Sequence, residues 1–178
     1  MPGFDFQKQQ AVEHVRYCPI QSAATTERKV IATLTATDIA HLREAKELAD
    51  RATEQGNRPF GAVIVDQNGK SLAAAENSVV TDDDIAAHAE MNAIRIACRA
   101  GLQRQLAGAT MYASGEPCPM CTGAILRFGM RRVVYSSGWD TMLPALGNQP
   151  PTVHVASRDI AALSPQEIDV IGPCESAL

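Results

Sequence analysis

The sequence predicts an α/β layered domain. Three observations carry this. Two-residue and helical hydrophobic periods alternate in the order helix, hairpin, helix, strand, helix, strand. A helical segment lies between the last two main strands, which predicts that those strands are parallel. Gly56, Gly101 and Gly129 each stand just past a helical pattern, where a stop belongs.

Residues 1–37 hold neither period for long and read as an N-terminal extension, partly ordered at best. Residues 38–178 read as the folded domain, with a motif-bearing core at 59–135 and a tail at 136–178. Thr37 is placed to cap a helix whose apolar residues Ile39, Leu42, Ala45, Leu48, Ala49 and Ala52 fall at helical steps up to Gly56. Residues 60–65 read as a buried strand. Asp66-Gln67-Asn68-Gly69 is a hairpin turn in which Asn-Gly can take positive φ, and residues 70–77 are the returning strand. After a polar loop with Asp82, Asp83 and Asp84, a second helix is predicted over 86–99 and a strand over 109–114. Pro117 suits the first position of a third helix over 118–128. A strand over 131–136 follows. The tail is Pro-rich, with strand-like pieces at 153–156 and 168–171.

A chain of 178 residues can bury a sizeable core without disulfide staples. Sixteen basic and 20 acidic residues give a net charge of −4, which argues against a protein built mainly to hold nucleic acid or an anionic membrane. The apolar run at 60–65 falls far short of the roughly 20 residues that span a bilayer. The opening MPGFDFQKQQ lacks the layout of a secretion signal. The expected location is the cytoplasm. There, five cysteines serve metal binding or catalysis better than a disulfide framework.

Two segments stand out. His88-Ala89-Glu90 opens the second helix, and Pro117-Cys118-Pro119-Met120-Cys121 opens the third. Cysteines three apart share a helix face and can grip one ion, and the positive end of a helix favours the thiolate that a metal needs. His88 can project toward the same point. Structural zinc normally takes four protein ligands, whereas catalytic zinc takes three and keeps a position open for water. Three are assignable here: His88, Cys118 and Cys121. Glu90 is left free to move protons.

His-x-Glu followed by Pro-Cys-x-x-Cys is the signature of zinc-dependent nucleobase deaminases. Over residues 59–135 the chain resembles the cytidine/deoxycytidylate deaminase-like superfamily, and within it the branch of guanine, fungal-type cytosine and tRNA adenosine deaminases. The matching residues are Pro59-Phe60-Gly61-Ala62-Val63-Ile64-Val65, Asn77, the helix start from Ala87 to Ile94, and the run from Ser114 to Ile125. The resemblance implies a three-layer α/β/α fold, a mixed five-stranded sheet with helices on both faces. It implies one zinc ion (Zn2+) held by His88, Cys118 and Cys121, with Glu90 as proton shuttle. Asn77 would hydrogen-bond the base or sugar, and the backbone of Ala89, Ser114 and Cys118 would fix the ring edge. Phe60 would lie near the pocket, and Trp139 and Asp140 would contact substrate. Relatives are commonly homodimers, so a dimer is expected.

The expected activity is hydrolytic deamination of a small nucleobase or nucleoside, with release of ammonia from a cyclic amidine C–N bond. Guanine stands first, cytosine second and tRNA adenosine third. From residue 133 onward Arg158 is the lone basic residue against Asp140, Asp159, Glu167, Asp169 and Glu175, a poor surface for RNA. A thioredoxin-like Cys-x-x-Cys pair and a zinc-stabilised interaction module are the competing readings. Glu90 argues against the module, which has no use for a proton shuttle. Cys98 reads as core and His41 as solvated. His14, Cys18, His154 and Cys174 receive no role.

Overall fold

A computed structural model describes residues 34–146, 153 and 155–175. The extension assigned to 1–37 lies outside these residues but for its last four. So do His14, Cys18 and His154.

The elements are α1 (Ala36–Glu54), β1 (Gly61–Val65), β2 (Ser71–Glu76), α2 (Ala89–Arg99), β3 (Thr110–Gly115), α3 (Pro119–Arg127), β4 (Arg132–Ser137), α4 (Trp139–Ala145), α5 (Ser157–Ala162) and β5 (Asp169–Ile171). The strands form one sheet in the order β2-β1-β3-β4-β5. β1 runs antiparallel to β2 and β3, while β3, β4 and β5 run parallel. This is the mixed five-stranded sheet expected, and its central strands alternate between two buried faces. Val63, Val65, Tyr112 and Val134 meet Leu42, Ala45 and Leu48 of α1. Ala62, Ile64, Met111, Ala113, Val133 and Tyr135 meet Ala93, Ile94 and Ala97 of α2 and Ile125 of α3. Burial on both faces is why the segment at 60–65 reads as a continuous apolar run. α1 lies so close on β1 that a Cβ at Gly61 would sit 2.1 Å from the Ala45 carbonyl oxygen, so only glycine fits there.

Several boundaries differ from expectation. The cap of α1 is Thr35, not Thr37: Thr35 Oγ accepts from the Asp38 N–H, and the Asp38 carboxylate accepts from the Thr35 N–H at 2.8 Å. This reciprocal pair needs an acid three residues on, and Asp38 supplies it only for Thr35. In the hairpin Gly69 alone takes positive φ, at 81°, while Asp66 Oδ1 accepts from the N–H groups of Asn68 and Lys70. α3 starts at Pro119, not Pro117, with Cys118 as its cap. A residue preceding proline is pushed out of the helical region, so Pro119 makes Cys118 extended. Of the strand expected at 153–156, Val153, Val155 and Ala156 carry no regular structure, and the chain enters α5 instead. Helices α4 and α5, seven and six residues long, were not anticipated. They are too short to show a helical period. Among the described residues no helix is long and apolar enough to cross a membrane.

Asp38 also ties α1 to the sheet. Its carboxylate, 2% exposed, accepts from the Tyr112 hydroxyl at 2.8 Å and from both Nη atoms of Arg132. Burial pushes this carboxyl up, but Arg132, the Thr35 N–H and the Tyr112 hydroxyl outweigh it and hold it well below its usual 3.8. Because the folded-state value is depressed, the stabilisation is complete above pH 3.8 and is lost as pH falls further. Asp38→Ala strands Arg132 and Tyr112 and is expected to cost about 2–4 kcal/mol. Urea unfolding at pH 7 and pH 3 measures it: the difference between wild type and variant should shrink at pH 3, and an equal difference at both would count against the carboxylate's charge.

Candidate active site

His88 is the cap of α2 and Cys118 the cap of α3. Neither side chain closes its own helix end. Both residues are extended, at ψ 152° and 169°, which turns their side chains away from the helix they open. The two helix starts therefore present an imidazole and a thiol to one another, and Cys121 joins them from the first turn of α3. Cys118 Sγ stands 3.5 Å from His88 Nδ1 and 3.5 Å from Cys121 Sγ, and Cys121 Sγ is 3.6 Å from His88 Nδ1. A tetrahedral ion with bonds of about 2.0–2.3 Å keeps its ligand atoms roughly 3.3–3.8 Å apart, so these donors fit zinc in spacing as well as in type. Among the described residues, the mutually close donors are these three.

Glu90 lies beside the cluster, 7% exposed, with Oε2 3.5 Å from Cys121 Sγ. Burial first, and then the neighbouring Cys118, push its carboxyl up. The hydrogen bond with Cys121, followed by that with His88, holds the Cys118 thiol down to about 4, against burial. Cys121, bonded to Cys118 and buried, is pushed well up. The bond with Cys118 raises His88. One thiolate thus forms readily while its neighbour keeps a proton, since two bare thiolates so close would repel.

The other predicted residues have partners of their own. Ala89 is fully buried in the first turn of α2. Asn77, 1% exposed, directly follows β2; its N–H donates to the Phe60 carbonyl at 2.9 Å, and its Oδ1 accepts from the Val79 N–H at 3.2 Å. Ser114 Oγ accepts from the Gly61 N–H at 3.0 Å. Phe60 and Ser114 line a cleft of about 640 Å³ with Arg58, Ser137 and Met142. The metal-type donors and Glu90 are not among its walls. Trp139 and Asp140 open α4. Asp140 is exposed, and the buried Trp139 Nε1 has no hydrogen-bond partner among the described residues.

Cys98 packs against the core as expected. His41 is not solvated: it is half-buried, its ring tilted against Tyr112 with centroids 4.9 Å apart, and 3.3 Å from Glu44. Cys174 is buried with α1 and β4. Sequence reasoning passed over Asn92, whose Nδ2 donates to the Glu76 carbonyl and to Ser78 Oγ. It also missed Asn57, whose Oδ1 accepts from the N–H groups of Val80 and Thr81. Together they pin the loop that leads into His88. Asn92 stands one helical turn after His88, the signal that could have found it; Asn57 sits in another loop and offers none.

A mixed sheet carrying two convergent helix starts, with a histidine, two cysteines and a buried glutamate, defines a zinc-dependent deaminase centre. Comparison with known proteins agrees. Residues 35–137 match the cytidine and deoxycytidylate deaminase zinc-binding region, and the chain belongs to that family. It is 36% identical over 138 residues to a probable cytosine deaminase of Schizosaccharomyces pombe, covering 76% of this chain and 83% of that protein. It is 43% identical over 97 residues to the guanine deaminase of Bacillus subtilis, covering 54% of this chain and 62% of that protein. A solved structure from a study of tRNA:A34 deaminases superposes with a TM-score of 0.60 at 32% identity, covering 74% of this chain and 95% of that one. These relatives are deaminases, hydrolases of C–N bonds.

Proposed function

We propose that the chain is a hydrolytic deaminase of a small aminated heterocycle, with His88, Cys118 and Cys121 holding zinc and Glu90 moving the protons. The observation that carries this reading is the buried Glu90 carboxyl beside a three-donor cluster. Zinc, when bound there, supplies hydroxide from water near neutral pH. An aminated ring carbon is a poor electrophile and ammonia a poor leaving group. Glu90 answers both difficulties: it protonates a ring nitrogen, takes the hydroxyl proton, and delivers it to the departing amine. Burial suits it to this cycle, because it pushes the carboxyl up from its ordinary value, toward a group that can both hold and release a proton. Asn77 and the backbone of Ala89 and Ser114 would read the ring edge. The Trp139 N–H, without a hydrogen-bond partner among the described residues, is a donor that a ring acceptor would satisfy, and Phe60 would supply an apolar wall.

Guanine is the first substrate of this reading, on the Pro-Cys-Pro-Met-Cys segment. Cytosine is the second, favoured by the long match to the cytosine deaminase. The acidic balance, net −4, sets tRNA adenosine third. Purified protein is expected to carry about one zinc per chain and to release ammonia from a free base or nucleoside in a panel that also includes a tRNA anticodon stem. Release from the RNA alone would overturn the charge argument. Asn77→Ala is expected to raise KM for whichever substrate turns over; an unchanged KM would remove Asn77 from the pocket.

A further inference from the structure

The family match ends at residue 137, and the chemistry above places no proton transfer beyond it. The tail nevertheless reaches the loop that carries Cys118. Helix α5 packs against α3, the helix that Cys118 caps. At the first residue of α5, Ser157 donates twice to one oxygen of Glu116, from its N–H at 2.8 Å and from its hydroxyl at 2.9 Å. Both residues are buried, Glu116 at 8% exposure and Ser157 at 1%. Glu116 stands two residues before Cys118. A buried carboxylate persists only where donors meet it, and among the described residues the donors to this side chain come from the tail.

The rest of the loop is fastened from other sides. The Glu116 N–H donates to the Ser137 carbonyl at 2.8 Å, and Thr122 Oγ donates to the Pro117 carbonyl at 3.3 Å. A Cβ at Gly115 would lie 2.3 Å from Met142 Sδ, so α4 presses on the loop as well. Pro117 and Pro119 stiffen two of the three peptide units between Glu116 and the helix. Only Pro117 separates Glu116 from Cys118 along the chain.

The geometry points to Glu116 as a positioning residue and to α5 as a clasp: the Glu116–Ser157 pair holds Cys118 Sγ at ligand distance from Cys121 and His88. The tail is thereby part of the metal centre although it contributes no ligand. This rests on the reading of Cys118 as a zinc ligand. Groups that orient a metal's ligands typically change its affinity about 10- to 100-fold when removed.

The test uses the full chain and measures zinc affinity by competition with a chromogenic chelator, the thiolate-to-cobalt absorption of the cobalt-substituted protein, and the melting temperature of the zinc-stripped protein. Ser157→Ala and Glu116→Ala are expected to bind zinc about 10- to 100-fold more weakly than wild type and to shift the cobalt spectrum. Glu116→Gln, whose amide oxygen still accepts both bonds, is expected to stay within about threefold of wild type. A purely structural strut would lower the melting temperature of the stripped protein and leave zinc affinity and the cobalt spectrum unchanged; that result in folded Ser157→Ala overturns the proposal. If Glu116→Ala fails to fold, Ser157→Ala, which removes one hydroxyl, decides alone. Wild-type protein that binds no zinc at this cluster would overturn the metal reading itself, and the clasp with it.

Discussion

Glu90→Gln is expected to keep the fold and about one zinc per chain while turnover falls by at least about 10²-fold. The amide has the shape of the carboxyl it replaces and cannot cycle a proton. The side chain is 7% exposed, so bulk water has little access to take over its role. The loss should exceed that of a single proton transfer, since the same group serves the ring nitrogen, the hydroxyl and the amine in turn. Ammonia release under saturating substrate measures the rate, and metal analysis of the same sample shows that the zinc stays. Near-normal turnover would place the proton shuttle elsewhere.

Cys121→Ser should abolish activity by a different route, through loss of the metal. Cys121 is fully buried and touches both Cys118 and His88 at ligand spacing. A serine hydroxyl is a far weaker zinc donor than a thiolate, so zinc content is expected to fall from about one per chain toward zero after mild dialysis. Proton bookkeeping sets the pH dependence in the wild type. Zinc must displace the proton that Cys121 retains and any proton on His88, both of which are held up. Zinc affinity should therefore fall as pH falls, roughly tenfold per unit for each proton displaced. Chelator competition at two pH values checks the sign. Zinc retained by Cys121→Ser would show that a different set of residues binds it.

The chemistry was legible because its determinants are local. Cys118 and Cys121 stand three residues apart at one helix start, close enough in the chain to meet. Pro119 fixes the extended backbone of Cys118, and His88 and Glu90 fall within one helix start. The sheet was legible for a related reason: its central strands are buried on both sides and so spell apolar runs, and a helix between two strands leaves a parallel pair. Helix starts were read less well. Two prolines two residues apart both satisfy the rule for a first helical position, and the sequence alone does not say which one the helix uses.

The sequence by itself determined the α/β layering, the parallel pair, the main helices and the two donor-bearing helix starts, since each is written in residues within a turn or a strand of one another. Tertiary structure alone decided what spans long separations: Asp38 of α1 on Arg132 of β4, 94 residues away, and Glu116 on Ser157, 41 residues away. It also decided that α4 and α5 exist and that the tail closes on the loop before α3. Helices of seven and six residues are too short to stand on their own hydrogen bonds. They form because the finished sheet and α3 offer them a surface, and that surface is assembled from segments no local pattern connects.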